Sequence, residues 1–252
     1  MGKILFIVEG ENDEVKFINR LFSICQDLKN YEIFSYKTNL HNLANLIAKN
    51  GEIKDDFDIQ LFLKSIEKDS DKKEILSQNF SDIILVFDFE PQQDFPHFDL
   101  IRKLALYFNE STENGKIYIN YPMMQSYRHF NKLPNNEFKD VIITKEDAKN
   151  YKEIVGNISN YTCVEHHSYA LFVSLAYHHL LKLHYILNGK FELPPKDFIY
   201  NAKQVDLFDK QLSLLNSNGW IYVINTFILY LVEYNPTTFY NQVTTHKSKY
   251  NL

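Results

Sequence analysis

The sequence predicts an α/β fold: a mostly parallel sheet flanked by helices over residues 1–140, followed by an α-helical region over 141–252 packed on it. Three observations carry this expectation. Two short apolar runs, Lys3 to Val8 and Ser81 to Phe87, have the length and composition of buried strands. Strand-like and helix-like patterns alternate as far as Phe130, the order that builds a parallel sheet with helices on its faces. From about Lys145 the strand pattern stops and stretches with helical periodicity follow.

Taken in order, Lys3–Val8 reads as the first strand, ending in Glu9-Gly10. Val15, Ile18, Leu21, Phe22, Cys25 and Leu28 recur at steps of three and four, which predicts an amphipathic helix over 12–29. Tyr31–Tyr36 alternates and reads as a strand, and Leu40–Ala48 as a short helix stopped at Asn50-Gly51. Residues 51–80 are rich in Asp and Lys and are expected to form one or two exposed helices, a helical insertion on the surface. After the second apolar strand, Phe89–Phe98 is a loop holding Pro91 and Pro96, and Asp99–Asn109 a helix. Asn114-Gly115 turns the chain into a strand at Lys116–Asn120, and a helix is expected at Met123–Phe130 with Pro122 near its first turn. Asp147–Ile158, Ser168–Asn188, Gln204–Leu215 and Trp220–Tyr234 read as helices, with a stop and bend at Leu193-Pro194-Pro195 and a frayed end at Thr244–Tyr250. There is no internal repeat and no linker, so two independently folding domains are not expected.

Composition narrows the function classes. The 252 residues carry a formal net charge of −5, so no overall basic field advertises nucleic acid, although a local basic groove is compatible with that total. Cys25 and Cys163 sit in apolar contexts without metal-type spacing and read as buried free thiols in a reducing cytosol; a cytoplasmic location is expected, with no signal peptide. Trp220–Val232, the best membrane candidate, is too short and carries Asn225 and Thr226. No Gly-x-Ser-x-Gly and no Gly-x-x-x-x-Gly-Lys occurs, so neither a serine-hydrolase elbow nor a P-loop is expected.

The chemistry-bearing pattern is acidic. Glu9 follows the first strand, and Asp88 and Glu90 follow the second. If the strands are parallel neighbours, all three carboxylates reach one sheet edge, with Asp88 and Glu90 pointing the same way along an extended strand end. Such acids repel one another unless a cation compensates, and Mg²⁺ selects oxygen ligands for phosphoryl transfer. The alternative is a helix start: Asn12 as N-cap, with Asp13 and Glu14 complementing the helix dipole, accounts for much of 11–14 without function. Both explanations stand at this point.

Phe6-Ile7-Val8-Glu9-Gly10-Glu11-Asn12-Asp13 resembles the first motif of the Toprim fold, a strand ending in Glu-Gly with another acid soon after. Asp88-Phe89-Glu90 is similar to its second, usually Asp-x-Asp. The order strand, motif, helix, strand, acidic pair is also Toprim-like. Tyr121-Pro122-Met123-Met124-Gln125-Ser126-Tyr127-Arg128-His129-Phe130 resembles the Pro-x-x-Glu-x-aromatic segment of small Toprim proteins of phage defence, with Gln125 in place of Glu. The likeness spans roughly Lys3 to Phe130. It implies a metal-dependent nuclease akin to overcoming-lysogenization-defect enzymes. Glu9 would be general acid/base and metal ligand, Asp88 and Glu90 would bind Mg²⁺ (or Mn²⁺), and Asp13 would add a catalytic and metal-binding acid. It further implies DNA, RNA or tRNA as substrate, an antiphage abortive-infection setting in which the chain is the toxin, and an ATPase partner protein; oligomerisation stays open. Glu90 for Asp and Gln125 for Glu depart from the family pattern, which leaves open a catalytically inactive interaction module binding a partner protein.

Arg128 is a further catalytic candidate, able to hold a phosphate bidentately, with Tyr127, His129 and Lys132 beside it and Lys139 and Lys145 further on. His166, His167, His178, His179 and His184 lack the spacing of a helical metal motif and read as core or interface histidines.

Overall fold

A computed structural model describes residues 2–25, 30–48, 52–94 and 96–250. The predicted end of the first helix at 26–29 and the Asn50-Gly51 stop lie outside the described residues. Five strands form one sheet in the order β2-β1-β3-β5-β4: β1 Ile4–Val8, β2 Tyr31–Ser35, β3 Asp82–Asp88, β4 Asn109–Glu110 and β5 Gly115–Asn120. All pairings are parallel except the short β4–β5 edge. β1 lies between β2 and β3, so the chain leaves it first to one side and later returns on the other. That reversal opens a crevice at the carboxyl ends of β1 and β3, where ligands of open α/β sheets bind. The central strands are apolar because they are covered on both faces: every residue of β1 is buried, as are Ile84, Leu85, Val86 and Phe87 of β3.

α1 (Asp13–Ile24) buries Ile18, Leu21 and Phe22 of the predicted stripe, with Val15 and Cys25 half-buried, and also Phe17, which the stripe does not include. Phe6 of β1 meets Phe22 at 5.2 Å and also Phe227 and Tyr230 at 5.9 Å. One sheet face is thus covered jointly by α1 and the C-terminal segment. α2 (Leu40–Ile47) and α5 (Phe98–Tyr107) pack together. The stretch before β3 forms α3 (Ile59–Ile66) and α4 (Ser70–Ile75). It is not the solvated excursion expected: Ile59, Leu63 and Leu76 are buried in the main core, and the Gln60 amide donates to the Leu76 and Gln78 carbonyls. Most of its Asp and Lys residues clothe the outer face, but Lys72 reaches in over the Phe34 ring and donates to the Ser35 carbonyl.

In the second half, α7 (Tyr169–Asn188) packs against α9 (Gln204–Asn218) and α1, α8 (Lys196–Asn201) meets it through the Phe198–His184 ring contact, and α6 (Tyr151–Ile158) packs on the turn at Met124–Arg128. α7 shows little amphipathicity because it is buried nearly all round, Phe172 through Ser174 and His178 through His184 included. Gly189 and Gly219 end α7 and α9 in the left-handed conformation, φ 75° and 72°. Two expectations fail here. Trp220–Tyr234 is not one helix: Trp220–Tyr222 is strand β7, antiparallel to β6 (Ile142–Thr144), and only Tyr230–Tyr234 is α-helical, as α10. Met123–Phe130 forms a 3₁₀ turn at Met124–Arg128 rather than an α-helix. A further helix, α11 (Pro236–Thr245), is capped by the Asn235 side chain, and the end expected to fray, Thr244–Tyr250, holds the last two residues of α11 and a final turn at Lys247–Tyr250. One buried cluster runs from Ile4 to Val243, so the halves share a core. Tyr121 pairs with Ile224, the Thr226 hydroxyl donates to the Ile119 carbonyl at 3.0 Å, and the Asn120 side chain accepts from the Phe227 amide at 3.2 Å. Among the described residues no helix is long and apolar enough to cross a membrane.

Candidate active site

The parallel register sets Val8 opposite Val86, so Glu9 and Asp88 leave adjacent strands at the same edge, in the crevice where the strand order reverses. The Glu9 backbone is fixed on both sides: its amide donates to the Val86 carbonyl at 3.3 Å and its carbonyl accepts from the Lys37 amide at 3.0 Å. Its carboxylate accepts from the Asp88 amide at 3.2 Å. Burial, the Glu90 charge and the Glu14 charge push the Glu9 carboxyl up to about 8, against the pull of that amide and of Lys152. Asp88 is raised well above the usual range by burial first, then by Glu9, Glu14 and Glu90, with a hydrogen bond from Asn120 opposing. Its Oδ1 is buried and has no partner.

Glu90 belongs to this group by charge, but not through the extended geometry expected. β3 ends at Asp88, and Glu90 has φ 44°, a left-handed conformation that costs a residue with a side chain on the order of 1 kcal/mol or more. Its amide donates to the Pro122 carbonyl at 3.3 Å, and its carboxylate accepts from the Gln93 amide group at 2.8 Å. The strain fits a segment shaped by its position at the edge rather than by local preference.

Glu14, expected to serve only the helix dipole, is part of the cluster. It is buried, its carboxyl is raised chiefly by burial, and it raises both Glu9 and Asp88. Gly10 lies close against it: a Cβ there would stand 2.7 Å from Glu14 Oε2, and the carboxylate would have to shift. A sequence signal existed: Glu14 falls on the same helical stripe as Phe17, Ile18 and Leu21. Asn12, expected to cap α1, occupies the N-cap position without a side-chain cap bond, which removes part of the helix-start explanation for the acids.

Asp13 is brought to the flank of the cluster. Its Oδ2 accepts from the Gln125 amide group and from Lys152 Nζ at 3.1 Å. Gln125 thus holds an acid that a Glu there would repel, and its own Oε1 is left buried without a partner. Lys152, on α6 and 139 positions away from Asp13, went unnoticed in the sequence because a lone Lys on a polar helix face carries no local signal. Arg128 lies with Asp13, Lys16 and Gln125 around a small cleft of about 80 Å³. Its Nη1 donates to the Thr162 carbonyl, and its Nε is buried without a partner. His129 faces inward: it meets the Tyr151 hydroxyl at 2.8 Å, and burial lowers it to about 4.

Of the histidines read as core or interface residues, His167, His178, His179 and His184 are buried, whereas His166 is exposed, as is Cys163, expected to be a buried thiol. His178 accepts from the Asn135 amide and donates to the Ser174 carbonyl, while His179 accepts from the Asn225 amide and donates to the Tyr127 carbonyl. One donor and one acceptor each is the pattern of neutral imidazole, and burial lowers His179 to about 3.

The edge has the donor chemistry for a hard divalent cation: oxygens only, a surplus of negative charge, and an orphaned Asp88 oxygen. Among the described residues, however, no three His, Cys, Asp or Glu side chains are drawn together around one point. Glu9 is turned onto the Asp88 amide and would have to leave it to serve as a ligand. No family model matches the chain, and no curated protein or solved structure matches it.

Proposed function

We propose that the chain is a Toprim-type nuclease that cleaves phosphodiester bonds in DNA or RNA with Mg²⁺ or Mn²⁺, serving as the effector of an antiphage, abortive-infection system under control of an ATPase partner. The observation that supports this reading most is the uncompensated acidic group in the β1/β3 crevice: Glu9 raised to about 8, Asp88 raised well above its usual range, and Asp88 Oδ1 buried without a partner. Groups placed so cost stability, and a bound cation would relieve that cost. Asp88, Glu90 and Glu9 would hold the ion, with Glu14 and Asp13 adjoining. The ion would supply charge stabilisation on the phosphate and lower the pKa of a bound water. Glu9 itself, changing protonation near neutral to mildly alkaline pH, is suited to accept or return a proton. Lys152 and Arg128 would face the phosphate backbone from the flank. The defence setting and the ATPase partner rest on the sequence resemblance alone.

A second reading, a Toprim-like module that binds a partner protein without catalysis, has one observation in its favour: Asp13 is occupied by Gln125 and Lys152, and no three-acid metal group is assembled. Incubation of the full chain with plasmid DNA and with total RNA in Mg²⁺, in Mn²⁺ and in chelator separates the two. The nuclease reading expects cleavage in either metal that Glu9→Gln and Asp88→Asn abolish, and toxicity on expression that Glu9→Ala relieves. No cleavage of either substrate, together with toxicity unchanged by Glu9→Ala, favours the binding module.

A further inference from the structure

A cavity of about 390 Å³ lies at the opposite edge of the sheet, where β1, β3 and β5 begin. Its volume is that of a pocket for a small organic ligand. Tyrosines form much of its wall. Tyr118 and Tyr230 stand at 81° with ring centroids 6.3 Å apart, and Tyr234 lies 6.0 Å from Tyr230. Two ring faces nearly at right angles make a corner that attracts positive charge through the ring quadrupoles.

The charged lining has the matching sign. Among the described residues of the lining, Asp82, Glu110 and Glu233 face Lys116 as the single base. Asp82 is oriented by two hydroxyls, accepting from Ser111 and Ser81 at 2.8 Å each, and Glu110 accepts from the Thr112 hydroxyl at 3.3 Å. Those hydroxyls point the carboxylates without neutralising them. Glu233 instead accepts from Lys116 Nζ and from the Tyr118 hydroxyl, and Lys116 Nζ lies 5.5 Å from the Tyr118 ring centroid. One primary ammonium is therefore already held in this wall by a carboxylate and a tyrosine face. A phosphate or carboxylate ligand would meet three acids and one occupied base.

We propose that this cavity is a second ligand site, one that takes a small organic cation: a primary amine on an aromatic or apolar body. The amine takes Asp82 and Glu110 as counter-charges, and the body lies against Tyr230 and Tyr234. The site is separate from the acidic crevice and does not depend on its chemistry.

The test is thermal unfolding and calorimetry of the full chain with tyramine, with its neutral counterpart 4-ethylphenol and with AMP. Tyramine at ten times its Kd raises Tm by roughly 3–5 °C, while 4-ethylphenol and AMP leave Tm in place. Asp82→Asn, which keeps an acceptor for one of the two serines and offers an N–H to the hydroxyl of the other, weakens tyramine about tenfold. Glu110→Gln, at an exposed position that does not carry the β3 packing, weakens it several-fold, about half that effect on a logarithmic scale. Glu9→Gln, at the far edge, binds tyramine as the wild type does. No shift with tyramine, an equal shift with 4-ethylphenol, stabilisation by AMP, or unchanged tyramine affinity in both cavity variants overturns the proposal.

Discussion

Lys182 and Asp88 are both buried ionisable groups, and their surroundings could hardly differ more. Lys182, in the middle of α7, donates to the Phe138, Lys139 and Val141 carbonyls at 2.7–2.8 Å and lies over the Phe138 and Tyr222 rings. Each of its three donors has an acceptor, which ties the helix to the β6 approach. Asp88, at the tip of β3, has an oxygen with no partner and three carboxylates for neighbours. The contrast holds more widely. Of the eight buried side-chain atoms without a partner among the described residues, six lie between Asp88 and Arg128, on the segments that follow β3 and β5. The other two, His167 Nε2 and Ser174 Oγ, lie in the helical half, where Lys182, His178 and His179 are paired with backbone. Unpaired buried polar atoms are costly, and Asp88 Oδ1, beside Glu9 at the sheet edge, is an atom that a bound cation would complete.

The contrast can be tested from both ends. The largest effect expected is on activity: Asp88→Asn lowers metal-dependent cleavage by roughly 10²–10³-fold, the scale of losing one group that stabilises charge in a transition state, read as initial rates on plasmid or RNA. Next comes Lys182→Met, which keeps the bulk and strands three carbonyls. It lowers stability by about 3 kcal/mol in urea unfolding, with no change in the pH dependence that Glu9 sets. A loss under about 1 kcal/mol would show that the Lys182 clamp contributes little.

Glu9→Gln acts in the other direction. In the folded chain Glu9 keeps its proton up to about 8, against an ordinary value of 4.5. Between those limits the folded state binds more protons than the unfolded one, so stability falls as pH rises through that window. The Gln variant lacks this loss. It matches wild type near pH 4.5 and exceeds it at pH 8–9 by roughly 1–3 kcal/mol in metal-free buffer, which thermal unfolding across pH would show. The smallest effect is that of Lys152→Ala. The Lys152–Asp13 pair is well exposed, so its loss changes stability by about 0.5 kcal/mol at most. The variant's signature is instead a higher Glu9 titration point, because Lys152 favours the charged form.

Much of this edge was legible in the chain. Lys3–Val8 and Ser81–Phe87 are short, dense apolar runs that each end in acid, and a parallel sheet brings such ends together. Other parts carried no local mark. β6 and β7 are three residues long and pair across some eighty positions, and Trp220-Ile221-Tyr222 inside an apolar run has no period that separates strand from helix. Lys152 reaches Asp13 only through the docking of α6, which no spacing encodes. Glu14 was readable, on the apolar stripe of α1, yet its place in a first helical turn offered the simpler explanation of dipole compensation. The same simplicity misled at 51–80, where charge density suggested exposure although Ile59, Leu63 and Leu76 enter the core.

Mg²⁺ binding to the full chain, followed by calorimetry and thermal unfolding at pH 8, bears most directly on whether the open edge is a cation site. Saturable binding that raises Tm in the wild type, and that both Asp88→Asn and Glu9→Gln abolish, is the result expected. Absence of binding in the wild type, or an equal shift in all three proteins, would contradict it.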